Sequence, residues 1–473
     1  MSGRGRIHPV LLVASLTACL IAACGSSTRP SPAASGPTAS GGTASGPTAD
    51  PIRIGAVFPL AGNAAGLAKQ ELAGVQAAAD FVNGDGGIGG RQIVLDVRDL
   101  ESGADAPAVM GALKSAGATV VVGAYASALS IPASQAASDA GLVYWEAGAV
   151  ADRLTGRGLP LVFRVGASGS NLGSNSAAFA ATELAPRLSK ASGQLRIALV
   201  AASDDYAQSV ADAAASRAQL AGTPVVLRTT YDLNAPNFPE VMGQLRDARP
   251  DVVILASHIP DGVAFRRAML AANLHVAALI GSTMAECDPD FAGDLGPDAV
   301  GIFASDRPTG GFQPTALEPA ARALYDRLAA VRAAAGAASQ PTRGYGSTLP
   351  SASPPEYTIS GPVEAGSATA GPSEEALSGF SAAWALFHDV LPAAAHSGGL
   401  DAGGVAAAAR SIDLPVGSLP NGAGVRFASD PATLGQNERA AAVIWQWQAV
   451  RSYTFVWPPT YQTGEIAFVP LAR

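Results

Sequence analysis

Cysteine is scarce in this chain, with three among 473 residues. Two of them, Cys19 and Cys24, stand near the start, so beyond residue 24 only Cys287 remains and no intrachain disulfide can staple the body. Cys287 itself reads as a small, part-buried side chain. Lysine occurs only at 69, 114 and 190, and charged residues of all kinds make up 14% of the chain. Bulky apolar residues are few, because much of the 48% hydrophobic content is alanine, which raises helix propensity more than core volume. The formal charge of −8 argues against nucleic acid or anionic lipid headgroups as partners. A nucleophile elbow, a Walker A loop, H-E-x-x-H and paired His or Cys at metal spacing are all missing. The five histidines are isolated in sequence. Nothing here supports an enzyme, a metal or a cofactor, and none is expected.

What is present begins with a targeting segment. Arg4 and Arg6 precede an apolar run from Val10 to Ala23, too short for the roughly 20 residues of a membrane span. The run ends in Ile21-Ala22-Ala23-Cys24-Gly25-Ser26-Ser27, which resembles a bacterial lipobox. By that resemblance residues 1–23 are a signal peptide, and Cys24 is lipidated and becomes the mature N-terminus. Leu16-Thr17-Ala18-Cys19 fits the same pattern with a shorter apolar run before it. From Cys24 onward 28 basic residues face 38 acidic ones, a charge of −10. Residues 24–50, rich in Ser, Thr, Ala, Gly and Pro with a repeat of Ala34–Ala39 at Ala44–Ala49, read as a disordered tether spanning about 30 Å. The protein would be anchored to the membrane and not inserted in it.

The folded body opens with a strand, Ile52 to Phe58, and a helix whose Ala68, Leu72, Val75, Ala79 and Val82 share one face. Strand and helix patterns then alternate: strands at 92–99, 118–123, 142–146 and 161–165, helices at 104–116 and 128–139. This is the signature of a doubly wound parallel sheet. The pattern restarts at Leu195, with strands at 195–200, 224–230, 251–256, 275–281 and 299–304 and helices between them. Further helices are expected at 315–335, 375–395 and 404–410, and a β-rich meander at 424–427, 441–447 and 453–456. Residues 336–374 are a second low-complexity stretch, expected to be a disordered surface insert. Gly84, Gly86 and Gly89 fit G-x-G-x-x-G, but they follow a helix and precede a strand, the reverse of a dinucleotide site, so they read as a turn.

The segments "IRIGAVFPLAG" and "NGDGGIGGRQI" flanking the first helix resemble the N-terminal signature of type I periplasmic binding proteins of ABC importers, in the branched-chain amino acid (Leu/Ile/Val) subgroup and lipoprotein form. The resemblance implies an α/β fold of two doubly wound parallel-sheet lobes, the Venus-flytrap arrangement, joined by three crossovers. Lobe one would take 51–166 and 306–412, and lobe two 167–305 and 413–473. It also implies a cleft ligand, a small polar solute such as an amino acid, amide or organic acid. An ABC permease in the cytoplasmic membrane would be the partner, with the protein extracytoplasmic, lipid-anchored and a monomer.

Site residues carry over by position. Ser127, with Ala126, stands where the family holds a ligand carboxylate, although a Ser opening a helix is also an ordinary N-cap. The next anchor reads Glu146-Ala147-Gly148-Ala149, which lacks the family's hydroxyl; Gly148 lines the cleft by this analogy, and Glu146 contacts a cation or pairs with Arg153. In lobe two Tyr206 and His258 match cleft positions, and Gly281 to Glu286 covers the segment that supplies an acid for a ligand ammonium, either with Glu286 as that acid, offset from the family pattern, or with Met284 facing the cleft instead. Ala65 belongs to the rim formed by residues 59–67. A sensor of the same fold and, further off, a secreted hydrolase are the alternative functions.

Overall fold

The computed structural model describes residues 50–62, 64–282, 289–312, 314–338, 371–450 and 452–471. The signal segment, Cys24, most of the tether, Cys287 and most of the 336–374 insert lie outside these residues. Helix Pro319–Ala338 runs three residues into that insert, and Gly371 to Glu374 at its far end are among the described residues.

Five strands form the first sheet: β1 (Ile52–Phe58), β2 (Ile93–Asp99), β3 (Val120–Gly123), β4 (Val143–Glu146) and β5 (Val162–Arg164). They lie in the order β2-β1-β3-β4-β5, all parallel. β3 and β4 are buried on both faces, which is why Val120 to Val122 and Val143 to Trp145 run without polar alternation. The helix Ala65–Gly84 returns the chain from β1 to β2, and the Gly84–Gly90 cluster is the turn after it, with Gly86, Gly87, Gly89 and Gly90 at positive φ.

Seven strands form the second sheet: β6 (Ile197–Ala202), β7 (Val225–Tyr231), β8 (Val252–Ala256), β9 (Ala278–Ser282), β10 (Phe303–Asp306), β11 (Val443–Ala449) and β12 (Ser452–Trp457). The order is β12-β11-β10-β9-β8-β6-β7; β6 to β10 are parallel, and β11 and β12 add an antiparallel hairpin at the β10 edge. Trp445 and Trp447 anchor that hairpin in the core. The chain passes between the sheets after β5, after β10 and before β11.

Three features depart from the sequence reading. Helix Gly169–Phe179, with its continuation through Leu184, is absent from it, because Gly169, Ser170, Asn171, Gly173, Ser174 and Asn175 are poor helix formers. A capping box between Ser168 and Asn171 starts this helix, and packing on helix Asp205–Leu220 holds it. A Cβ on Gly173 would lie 2.0 Å from the Val210 carbonyl oxygen, so only glycine permits that approach. Residues 413–437, expected with lobe two, run along lobe one. Phe427 packs on Trp145 and Phe163 with ring centroids 5.3 and 5.0 Å apart, and the Asn437 N–H donates to the Arg164 carbonyl at 3.0 Å. The stretch 424–427 makes isolated bridges only, at Leu414–Val425 and Phe427–Asn437.

Helices Glu374–Trp384 and Ala402–Ser411 cover the first sheet; the Trp145 indole N–H donates to the Ala382 carbonyl at 2.8 Å. Among the described residues no helix is long and apolar enough to cross a membrane.

Candidate functional site

The parallel strands of both sheets end toward one cavity of about 480 Å³, with walls from both lobes. On the lobe-one side the chain leaves β3 through Tyr125, which holds a left-handed φ of 71°, and enters helix Ser127–Asp139. A non-glycine residue in that region is uncommon and here turns the helix start into the cavity wall. The first N–H groups of a helix lack intrahelical acceptors and carry positive character, so the Ser127 end favours an anionic group. Ser127 is the first helical residue and not the N-cap, a position taken by Ala126; its Oγ accepts from the Ala151 N–H at 3.1 Å.

The loop after β4 completes this wall and is pinned from within. Glu146 is fully buried; its Oε1 accepts the N–H groups of Ala147, Gly148 and Ala149 at 3.1, 2.9 and 3.0 Å, and its Oε2 accepts the Tyr144 hydroxyl at 3.2 Å. Arg307, just past β10, donates to the carbonyls of Ala147 (3.1 Å) and Gly148 (2.7 Å), lines the cavity and pairs with Glu374. Arg164 donates to the Ala149 and Ala151 carbonyls at 3.3 and 2.7 Å, and burial brings its guanidinium down to about 10. Burial likewise raises the Glu146 carboxyl, against the lowering pull of the backbone donors.

In lobe two, Asp204 caps helix Asp205–Leu220 by accepting the Ala207 N–H at 3.2 Å. The Tyr206 hydroxyl lies against the carbonyls of Ser257 (3.1 Å) and Ser282. His258 precedes helix Ile259–Ala271; its ring meets Tyr206 edge-on at 5.2 Å, with Nε2 3.2 Å from Asp204 Oδ2 and Nδ1 3.9 Å from Asp261 Oδ1. Burial works to lower the His258 pKa, but the hydrogen bond and charge of Asp204, helped by Asp261, overcome it and leave the imidazole above its ordinary value. Asp261 accepts the His258 backbone N–H at 3.0 Å and the Tyr231 hydroxyl. Between these polar groups the lining is apolar, from Leu67 and Val150 to Leu233 and Ile259.

Of the residues expected from sequence, the structure brings Ala126, Ser127, Gly148, Tyr206 and His258 together around the cavity. Glu146 is a correction: it faces the inside of its own loop, and Arg153 pairs instead with Asp205 at 3.1 Å. Ala65 is buried behind the rim, which Ala64 and Leu67 form. Met284 and Glu286 lie outside the described residues. Tyr125, Asp204, Asp261 and Arg307 also line the cavity. The first two stand in stretches already singled out, beside Ser127 and Tyr206. Arg307 has no local signal, since it acts on a loop some 160 residues earlier. Among the described residues no group of three or more His, Cys, Asp or Glu could hold a metal ion.

Two parallel-sheet lobes with a chain that crosses between them and a cavity walled by both define a two-lobe ligand-binding protein. Residues 51–352 match the periplasmic binding protein family, and the chain belongs to it. It is 29% identical over 420 residues to the Leu/Ile/Val-binding protein homolog 8 of Brucella abortus, covering 88% of this chain and 93% of that protein. Its fold is similar to the leucine-binding protein LivK of Thermotoga maritima (TM-score 0.65, 14% identity, 86% of this chain and 98% of that one). It is similar also to the branched-chain amino acid transporter substrate-binding protein LivJ of Streptococcus pneumoniae, solved with isoleucine (TM-score 0.63, 18% identity, 86% and 100%).

Proposed function

We propose that this chain is an extracytoplasmic substrate-binding lipoprotein of an ABC importer, held to the cell membrane through Cys24. Its ligand would be a small amino acid-class solute, delivered to a permease in the cytoplasmic membrane. The observation that carries this reading is the interlobe cavity with a helix start at Ser127 on one wall and Tyr206 and His258 on the other. A ligand touching both walls stabilises the closed arrangement, and that differential affinity is what shifts the equilibrium between the lobes. The names of the relatives, which refer to leucine, isoleucine and valine, support the amino acid class. Binding requires no bond to be made or broken.

The Ser127 wall would receive the solute carboxylate, by the helix N–H groups and the hydroxyl together. Ser127→Ala should therefore weaken amino acid binding by about 1.5–3 kcal/mol, the value of a hydrogen bond to a charged group. Titration calorimetry of the variant against the parent chain measures this, and unchanged affinity would remove Ser127 from the site.

A further inference from the structure

The cavity has a second polar corner, where two carboxylates to which the resemblance assigned no role stand beside His258. Asp204 and Asp261 flank the His258 ring, and the two carboxylates differ in what they have left to offer. Asp261 is 6% exposed, and each of its oxygens is engaged, one by the His258 backbone N–H and one by the Tyr231 hydroxyl. Asp204 is 27% exposed and lines the cavity. Its Oδ1 accepts the Ala207 N–H and its Oδ2 faces His258 Nε2. A carboxylate can accept about four hydrogen bonds, so each oxygen of Asp204 retains a lone pair.

We infer that Asp204 is the lobe-two anchor for the ligand's ammonium group, and that the His258 imidazolium is the counter-ion which that group replaces. The assignment rests on the amino acid reading above and names the residue that recognises its cationic end. A zwitterion would then bridge the cavity, carboxylate at the Ser127 helix start and ammonium at Asp204, with its side chain against the apolar lining. Other charged groups around His258 do not change the sign. Tyr206 and Tyr231 are neutral donors, Tyr125 lies on the opposite wall, and Arg307 is balanced by Glu374 and Asp306. When the ammonium binds Asp204, a positive imidazole beside it is disfavoured, and the His258 proton passes to solvent. Ligand affinity therefore rises with pH through the His258 titration, which lies above the ordinary imidazole value.

The test is calorimetry on the full chain with a panel of free amino acids, followed by the tightest binder and its deaminated acid. Two buffers of different ionisation enthalpy report proton release. The amino acid should bind at least tenfold tighter than the deaminated acid. Asp204→Asn should close that gap without unfolding the helix start, since Asn is as good an N-cap as Asp. His258→Gln should abolish the proton release that accompanies binding of the amino acid. The assignment is overturned if Asp204→Asn leaves the gap intact, if Glu286→Gln closes it instead, or if protons are taken up. An amino acid that binds tightly with no such dependence sinks Asp204 alone and leaves the transport reading standing. Failure of every amino acid to bind overturns both.

Discussion

Glu71 sits in the helix Ala65–Gly84 beneath the cavity wall, fully buried, with neither carboxylate oxygen hydrogen-bonded among the described residues. Its Oε2 lies 2.2 Å from where a Cβ on Gly148 would stand. Burial first, then the nearby charge of Glu146, push its pKa well above 4.5, against the lowering pull of Arg307. The folded chain therefore holds this proton more tightly than the unfolded chain does. The stabilising contribution is present at low pH and is lost as pH rises from 4.5 toward the raised folded value. Glu71→Gln, which keeps the shape and removes the titration, should raise the melting temperature at pH 8 more than at pH 5. Equal shifts at both pH values would count against a buried, protonated Glu71. Residues of this kind mark where sequence reasoning stops. Ser127 and Tyr206 were legible because each opens a helix just past a strand. Glu146 occupies a position of the same kind, yet its carboxylate turned inward onto three backbone N–H groups of its own loop. Pattern alone does not distinguish those two directions.

At the scale of elements, glycines decide which helices can meet. Helix Ala65–Gly84 crosses helix Glu374–Trp384 at Gly74 and Gly379. A Cβ on Gly74 would stand 2.1 Å from the Ala376 carbonyl oxygen, and one on Gly379 would stand 2.3 Å from that of Glu71. Alanine is the better helix former by about 1 kcal/mol, but overpacking costs about 1–3 kcal/mol, and a clash with backbone lies at the upper end. Gly379→Ala should lower stability by about 1–2 kcal/mol in urea unfolding. Gly111→Ala, with nothing within 4 Å of the added methyl, should raise it by about 0.5–1 kcal/mol. If both variants shift the midpoint in the same direction, the crossing is not as close as these distances require. The apolar strands were legible at this scale because burial on two faces demands unbroken Val, Ile, Leu and Ala. Helix Gly169–Phe179 was not, because its stability comes from a partner helix and not from its own residues.

For the molecule as a whole, the proposed lipid anchor would decide where in the cell the chain is found. A diacylated Cys24 would hold the chain at the membrane, where a single acyl chain binds only marginally. Cys24→Ser should move the protein from the membrane fraction to the soluble one on fractionation, while Cys19→Ser leaves it in place. The opposite pattern would assign the lipid to Cys19. The exposed Arg153–Asp205 pair joins the two lobes at 3.1 Å, but an exposed pair is worth about 0–1 kcal/mol, so it does not by itself hold them together. Local periodicity, turn residues and the lipobox-like run determined the order of strands and helices, the two-fold repetition of the α/β pattern and the expected route of export. Each depends on neighbours within a few residues. Only the tertiary structure decided that 413–437 run along lobe one, that Arg307 pins the Ala147–Gly148 loop, and that Asp204 meets the His258–Asp261 pair. Those outcomes depend on burial and charge pairing between residues far apart in the chain, and no local pattern encodes them.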